Sequence, residues 1–196
     1  MDPDFWPWLA GTLDSDGCFT VALVRVGGKK SKRNPDRPVK TYLRIAPMIR
    51  VGWSEKDERW THYIKEQAGV GKTYISNKGS EWSDGKHEIA SWQTTNLRDS
   101  LQIADKVTPY LRVKRGIAVE FQDIIRLWMK HKGLDKYGNP MKGTVVPRPI
   151  FSDVISRAIK LNERRQTERW RGVRNQEYYE KILDTVYGNQ EKDARI

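Results

Sequence analysis

The sequence predicts an α+β fold: helices and strands in the order αββαββα over residues 1–131, then a basic loop and a C-terminal helical extension over residues 132–196. Two observations carry this. Strand-like stretches come in two successive pairs, 17–26 with 39–53 and 72–78 with 86–94, and in the first three of them residues alternate between two faces, which marks a strand. Around the pairs, apolar residues recur at spacings of three and four behind good capping residues, which marks an amphipathic helix. A chain of 196 residues holds one such domain with an appendage and is too short for two large ones.

The first helix is expected from residue 4 to about residue 13. Asp4 suits the N-cap, and Pro7 falls in the first turn, where its missing N–H costs little. Ala10 and Gly11 permit close approach of another backbone. Asp14, Asp16 and Gly17 are poor helix interiors and good helix ends, so the carboxylates belong at the helix foot, where the chain turns into a strand.

In that strand Phe19, Val21 and Leu23 alternate with Thr20, Ala22 and Val24. The loop GGKKSKRNPDRP follows, and from residue 25 to 50 Arg25, Lys29, Lys30, Lys32, Arg33, Arg37, Lys40, Arg44 and Arg50 are opposed only by Asp36. The second strand places Leu43, Ile45, Ile49, Val51 and Trp53 on one face and Tyr42, Arg44, Met48 and Arg50 on the other. Pro47 cannot donate to a ladder and implies an edge position or a bulge. An apolar back with an Arg and Tyr front describes a sheet lying on nucleic acid; it also describes a solvated face.

Ser54 can cap the second helix, with Trp60, Ile64 and Ala68 on one side and Gly69 at its end. Gly69-Val70-Gly71-Lys72-Thr73 invites comparison with a phosphate loop. Such a loop needs Gly five residues before Gly71, where this chain has Glu66, and needs a strand before and a helix after, so no nucleotide cofactor is expected. In the third strand Lys72, Tyr74, Ser76 and Lys78 form a polar, basic face; the fourth, 86–94, is too mixed for faces to be assigned. Asn96 can cap a helix carrying Leu97, Leu101 and Ala104. Ile117, Phe121, Ile124 and Trp128 form the core stripe of the next. Residues 130–149 read as a long basic loop, followed by helical patterns with Ile155, Ala158 and Ile159 and with Tyr178, Ile182, Leu183 and Tyr187.

A formal charge of +11 points to a polyanionic partner. No apolar run reaches about 18 residues and no signal pattern opens the chain, so no membrane partner and a soluble, intracellular protein are expected. Cys18 stands alone, which excludes an internal disulfide and a Cys-based zinc site, and His62, His87 and His131 have no metal-ligand spacing.

Leu9-Ala10-Gly11-Thr12-Leu13-Asp14-Ser15-Asp16-Gly17 resembles the signature of the LAGLIDADG homing endonucleases, matching at Leu9, Ala10, Gly11, Asp14, Asp16 and Gly17. No second copy of the motif occurs. The resemblance implies the single-motif class: a homodimer with Trp8, Ala10 and Gly11 at the seam between two motif helices, its antiparallel sheets laid on a long pseudo-palindromic double-stranded DNA site. It implies Mg²⁺, or another divalent cation, held by the Asp16 carboxylate and the Ser15 carbonyl, with metal-assisted hydrolysis of both strands. Lys114 matches the basic residue that follows the family's third helix, Ser54 stands roughly where the family often has Gln, and Arg59 lies near a further basic position. With Asp16 these are the catalytic candidates, although a solvated Lys114 and a capping Ser54 account for those two without catalysis.

DNA contacts are expected from Arg25, Lys29, Lys30, Lys32, Arg33, Lys40, Tyr42, Arg44, Met48, Arg50, Lys72, Tyr74, Ser76 and Lys78. An intron-encoded enzyme is the reading the resemblance favours. The alternative is a non-cleaving nucleic-acid-binding protein, an RNA maturase or transcription regulator, on the same scaffold.

Overall fold

In the computed structural model, residues 2–27, 41–53, 58–76, 89–135, 141, 144–163 and 176–193 are described. The elements are α1 (Phe5–Ser15), β1 (Cys18–Gly27), β2 (Thr41–Trp53), α2 (Glu58–Ala68), β3 (Lys72–Ser76), β4 (Ile89–Gln93), α3 (Leu97–Val107), α4 (Arg115–Lys132), α5 (Arg148–Glu163) and α6 (Gln176–Asp193). The first seven follow the expected αββαββα order. The strands form one antiparallel sheet in the order β1-β2-β4-β3.

Pairing residues share a face, so the register sorts the strands. Phe19, Val21, Leu43, Ile45, Ile49, Val51 and Trp92 lie on the inner face and are buried against the helices. In β4, Ala90, Ser91 and Trp92 are all buried. On the outer face of β4 apolar Ile89 is exposed while the small, polar Ser91 is buried between Gly52 and Tyr74, so apolar and polar residues do not sort by face, which is why the stretch reads as mixed.

Pro47 meets the edge expectation in a local sense. β4 pairs with β2 only at residues 50–53, so beside Pro47 the ladder continues on the β1 side alone. Side chains occupy the vacated edge. Ile49 N–H donates to Thr94 Oγ1 at 2.9 Å, Thr94 N–H donates to the Ile49 carbonyl at 3.0 Å, and Ser100 Oγ donates to the Pro47 carbonyl at 3.2 Å. The missing proline donor is never needed there. On the outer edge of the sheet Asn162 of α5 plays the part of a neighbouring strand: its Nδ2 donates to the Val21 carbonyl and its Oδ1 accepts from Val21 N–H. This covers an edge that would otherwise present free backbone groups.

Three boundaries differ from expectation. α1 runs two residues further, to Ser15, and the Asp4 side chain makes no capping bond; Asp2 instead accepts from Asp4 N–H at 2.9 Å. The stretch 130–149 is shortened from both ends. α4 continues to Lys132 and stops at Gly133 (φ 68°), and α5 already begins at Arg148. Pro149 sits in its first turn, where a helix can spare the N–H. Within the intervening stretch, Lys132 Nζ donates to the Thr144 carbonyl and Tyr187 Oη to that of Val146. α5 is clamped to α4 by the Arg157 guanidinium on both oxygens of Glu120, and one hydrophobic cluster continues from Leu9 and Leu13 through Phe121 and Ile155 to Leu183.

Candidate functional site

The foot of α1 joins the start of α4. Asp14 Oδ2 accepts from Arg112 N–H at 2.7 Å and Val113 N–H at 3.3 Å, and its Oδ1 from Lys114 N–H at 2.8 Å. Burial pushes the Asp14 carboxyl up, but the three backbone donors and the nearby Lys114 charge outweigh it, and the group titrates below its ordinary value. Asp14 thereby anchors the N-terminal end of α4, where a negative charge is favoured.

Lys114 answers from the other side. Its Nζ donates to the carbonyls of Leu13 at 2.8 Å, Ser15 at 3.1 Å and Gly17 at 3.0 Å. Three acceptors engage all three ammonium donors: the Leu13 carbonyl, which also accepts from Gly17 N–H at 3.2 Å, that of Ser15 at the end of α1 and that of Gly17 just beyond it. Burial draws the Lys114 ammonium below its usual value, opposed by Asp14 and then Asp16. Gly17 closes the turn tightly: a Cβ there would lie 2.4 Å from Leu13 Cδ2 and 2.6 Å from Leu13 Cα.

Asp16 differs from Asp14. It is exposed, it is the C-cap of α1, and its Oδ2 accepts from Ser15 Oγ at 3.1 Å. The Asp16 carboxylate and the Ser15 carbonyl are hard oxygen donors of the kind Mg²⁺ takes. The Ser15 carbonyl keeps a second lone pair beside the one Lys114 uses. Among the described residues no group of three or more His, Cys, Asp or Glu could hold a metal ion.

The outer face of the sheet presents Arg50, Gln93 and Lys72 in one row across β2, β4 and β3, with exposed Tyr74 two residues on. Along β2, exposed Tyr42 and Arg44 stand at the far end, and Met48 pairs with Thr20. Arg25 pairs with Leu43 and therefore projects from the opposite face. Arg59 is exposed in the first turn of α2. Lys29, Lys30, Lys32, Arg33, Lys40, Ser54 and Lys78 lie outside the described residues, as does the Ser76 side chain.

On α1, Ala10 is fully buried in its own chain, Trp8 stacks on Trp60 with ring centroids 5.6 Å apart, and Gly11 is exposed with nothing within 4 Å of a Cβ built there. The two glycines that suggested a phosphate loop have structural work: Gly69 (φ 69°) ends α2, and Gly71 (φ 89°) lies against Trp92, whose Nε1 donates to the Val70 carbonyl at 3.1 Å. Thr20, Ala22 and Val24, which the sequence separates from Phe19, Val21 and Leu23, lie on the same outer face as Met48, Ala46 and Arg44; no DNA contact was expected of them.

No protein-family model matches the chain, and no curated protein matches it. Solved structures do. The homing endonuclease I-CvuI, in complex with its target in the presence of Ca, superposes with a TM-score of 0.64 at 18% identity, over 93% of this chain and 94% of that one. The archaeal intron-encoded homing endonuclease I-Vdi141I, complexed with DNA, gives 0.60 at 15% identity over 94% and 98%. The LAGLIDADG meganuclease I-AabMI, bound to uncleaved DNA, gives 0.54 at 19% identity over 93% of this chain and 49% of that one. The chain has the fold of the LAGLIDADG homing endonucleases. Its α1 carries the stretch Leu9–Gly17 that resembles their signature, and the likeness extends past residue 131 into the helical extension.

Proposed function

We propose that this protein is a homodimeric, Mg²⁺-dependent homing endonuclease that hydrolyses both strands of a long pseudo-palindromic double-stranded DNA site. The observation that carries this reading is the division between the two aspartates of α1. Asp14 is committed to three backbone N–H groups, whereas Asp16, two residues on, is turned outward at the end of the helix.

In the dimer the exposed Gly11 lets a second α1 approach closely, which brings two Asp16 carboxylates together; a bound divalent cation would offset the repulsion between them and the DNA phosphates. When bound, Mg²⁺ supplies a lowered pKa for the attacking water and stabilisation of the leaving 3′ oxygen. The chain's own contribution is to hold the donors in place. Lys114 fixes the Ser15 carbonyl, and Asp14 ties the helix foot to α4, so Lys114 acts as a positioning residue. Arg44 and Arg50 contact guanines in the major groove, and basic side chains around the sheet meet phosphates. An intron-encoded enzyme of this kind works wherever its target genome resides, and no helix among the described residues is long and apolar enough to cross a membrane.

The test is incubation of purified protein with duplex DNA spanning the joined flanks of its gene, with Mg²⁺ or with EDTA. Double-strand cleavage with Mg²⁺ alone is expected. Firm binding with no cleavage under Mg²⁺ would overturn the nuclease reading and favour a non-cleaving maturase or regulator.

A further inference from the structure

The outer face of the sheet has basic ends and an apolar middle. In register across β1 and β2 stand Thr20 with Met48, Ala22 with Ala46 and Val24 with Arg44, so between Arg50 at one end and Arg44 at the other no charged side chain faces outward on either strand. Of these, Thr20, Ala22, Ala46 and Met48, with Gln93 and Thr94 beside them, surround a shallow depression of about 230 Å³. Ala22 is exposed, and Thr20, Ala46 and Met48 are half-buried.

We infer that this depression is a thymine-reading surface: it takes the C5-methyl groups of a short A·T-rich run in the major groove, framed by arginine contacts at both ends. The inference rests on the DNA-binding reading and adds the base class that the site prefers. Three physical points support it. Ala, Thr methyl and similar small apolar groups are the side chains that match a thymine methyl, the one apolar feature of the major-groove edge, whereas they leave the donors and acceptors of a G·C pair without partners. The framing charges, Arg44, Arg50 and Lys72, and the overall +11, complement a polyanion and not an apolar peptide or a second sheet.

The dimensions also agree. Every second residue advances about 6.8 Å along a strand and each base pair about 3.4 Å along a duplex, so a strand following the groove meets about two base pairs per outward residue. Thr20, Ala22 and Val24 then span about four to five base pairs, and Arg44 and Arg50 fall about six apart.

The probe is a library of random duplexes, selected on wild-type protein with Ca²⁺ in place of Mg²⁺. Recovered half-sites are expected to hold a run of A·T pairs flanked by guanines. Resynthesis with deoxyuridine at one thymine at a time removes only the methyl group, and each replacement within the run is expected to weaken binding about fourfold, the effect of one buried methyl. Replacements outside the run should change nothing. Ala22→Gln, at an exposed position, should shift the preference at one step toward adenine and abolish the deoxyuridine effect there.

Indifference to deoxyuridine throughout the run, recovery of G·C pairs across it, or undiminished DNA binding by Ala22→Glu would each overturn the thymine assignment and leave the DNA-binding reading standing. Failure to enrich any duplex from the library would overturn both.

Discussion

The two ends of α1 are built by opposite means. At the N-terminal end Phe5 and Trp8 pack with Trp60 and Tyr63 of α2 in ring contacts 5.5–6.3 Å apart, and Asp2 ties in from the terminus through Tyr63 Oη and Gln67. At the C-terminal end there are no rings, only the Asp14 carboxylate on three N–H groups and the Lys114 ammonium on three carbonyls. Aromatic area is non-directional and forgiving. Charge-assisted hydrogen bonds are directional, and an unmade one leaves a polar group stranded. On the proposed function, the end that carries Asp16 is the one held by directional bonds, while the opposite end is held by aromatic area.

The largest effect should come from Asp16→Asn. Cleavage should fall by about a thousandfold or more, roughly 4 kcal/mol of transition-state stabilisation, while duplex affinity by gel shift and the urea midpoint stay where they were. A fall in the midpoint would show that Asp16 belongs to the structural half of the pair after all.

Asp14→Ala should do the reverse. It leaves three backbone donors of the α4 entrance without their charged acceptor and should lower unfolding stability by about 2–3 kcal/mol, with cleavage declining because the helix foot is released. Its charge adds a pH signature. Asp14 titrates lower in the fold than in the unfolded chain, so its contribution is complete above the unfolded value near 4 and is lost as pH falls through the lower folded value. In urea titrations at a series of pH values, the stability gap between wild type and Asp14→Asn should be constant near neutrality and close in strong acid. A gap that persists unchanged into strong acid would mean the carboxylate charge is not what anchors α4.

Lys114→Met comes next, at about 1–2 kcal/mol, because the three carbonyls lose a charged donor while the aliphatic packing is kept. If Lys114 instead met a phosphate, this variant would lose affinity for DNA, most at low salt and with a shallower salt dependence, without losing stability. The smallest effect belongs to Trp60→Ala: about 1 kcal/mol from the lost stack on Trp8, the same at every pH, with the rate of cleavage unaltered.

How far the sequence could be read depended on how local each feature is. Strands with one covered face announced themselves, so Leu43, Ile45, Ile49 and Val51 separate cleanly from Tyr42, Arg44, Met48 and Arg50. β4 did not, since apolar Ile89 is exposed and polar Ser91 is buried on the same face. Asn96 was legible as a cap, and its side chain accepts from Asp99 N–H at 2.8 Å. Asp4, just as suitable by residue type, makes no such bond: its backbone is helical (φ −89°, ψ 0°) where a cap is extended, and Pro7, three residues on, has no N–H to donate. The loop drawn over 130–149 was too long because basic residues and prolines suggest irregular chain, yet lysine and histidine are welcome in a last helical turn and proline in a first one.

By itself the sequence determined the αββαββα order, the two faces of β2 and the placing of two carboxylates at the foot of a short apolar helix, because each follows from periodicity and local propensity. The resemblance to the LAGLIDADG signature set Asp16 apart from Asp14, and only the tertiary structure supplies a physical difference between them. Asp14 and Asp16 are the same residue two positions apart, and neither periodicity nor local propensity distinguishes them. The backbone donors that claim Asp14 arrive from 98 to 100 residues further along the chain, and what they leave unclaimed is Asp16.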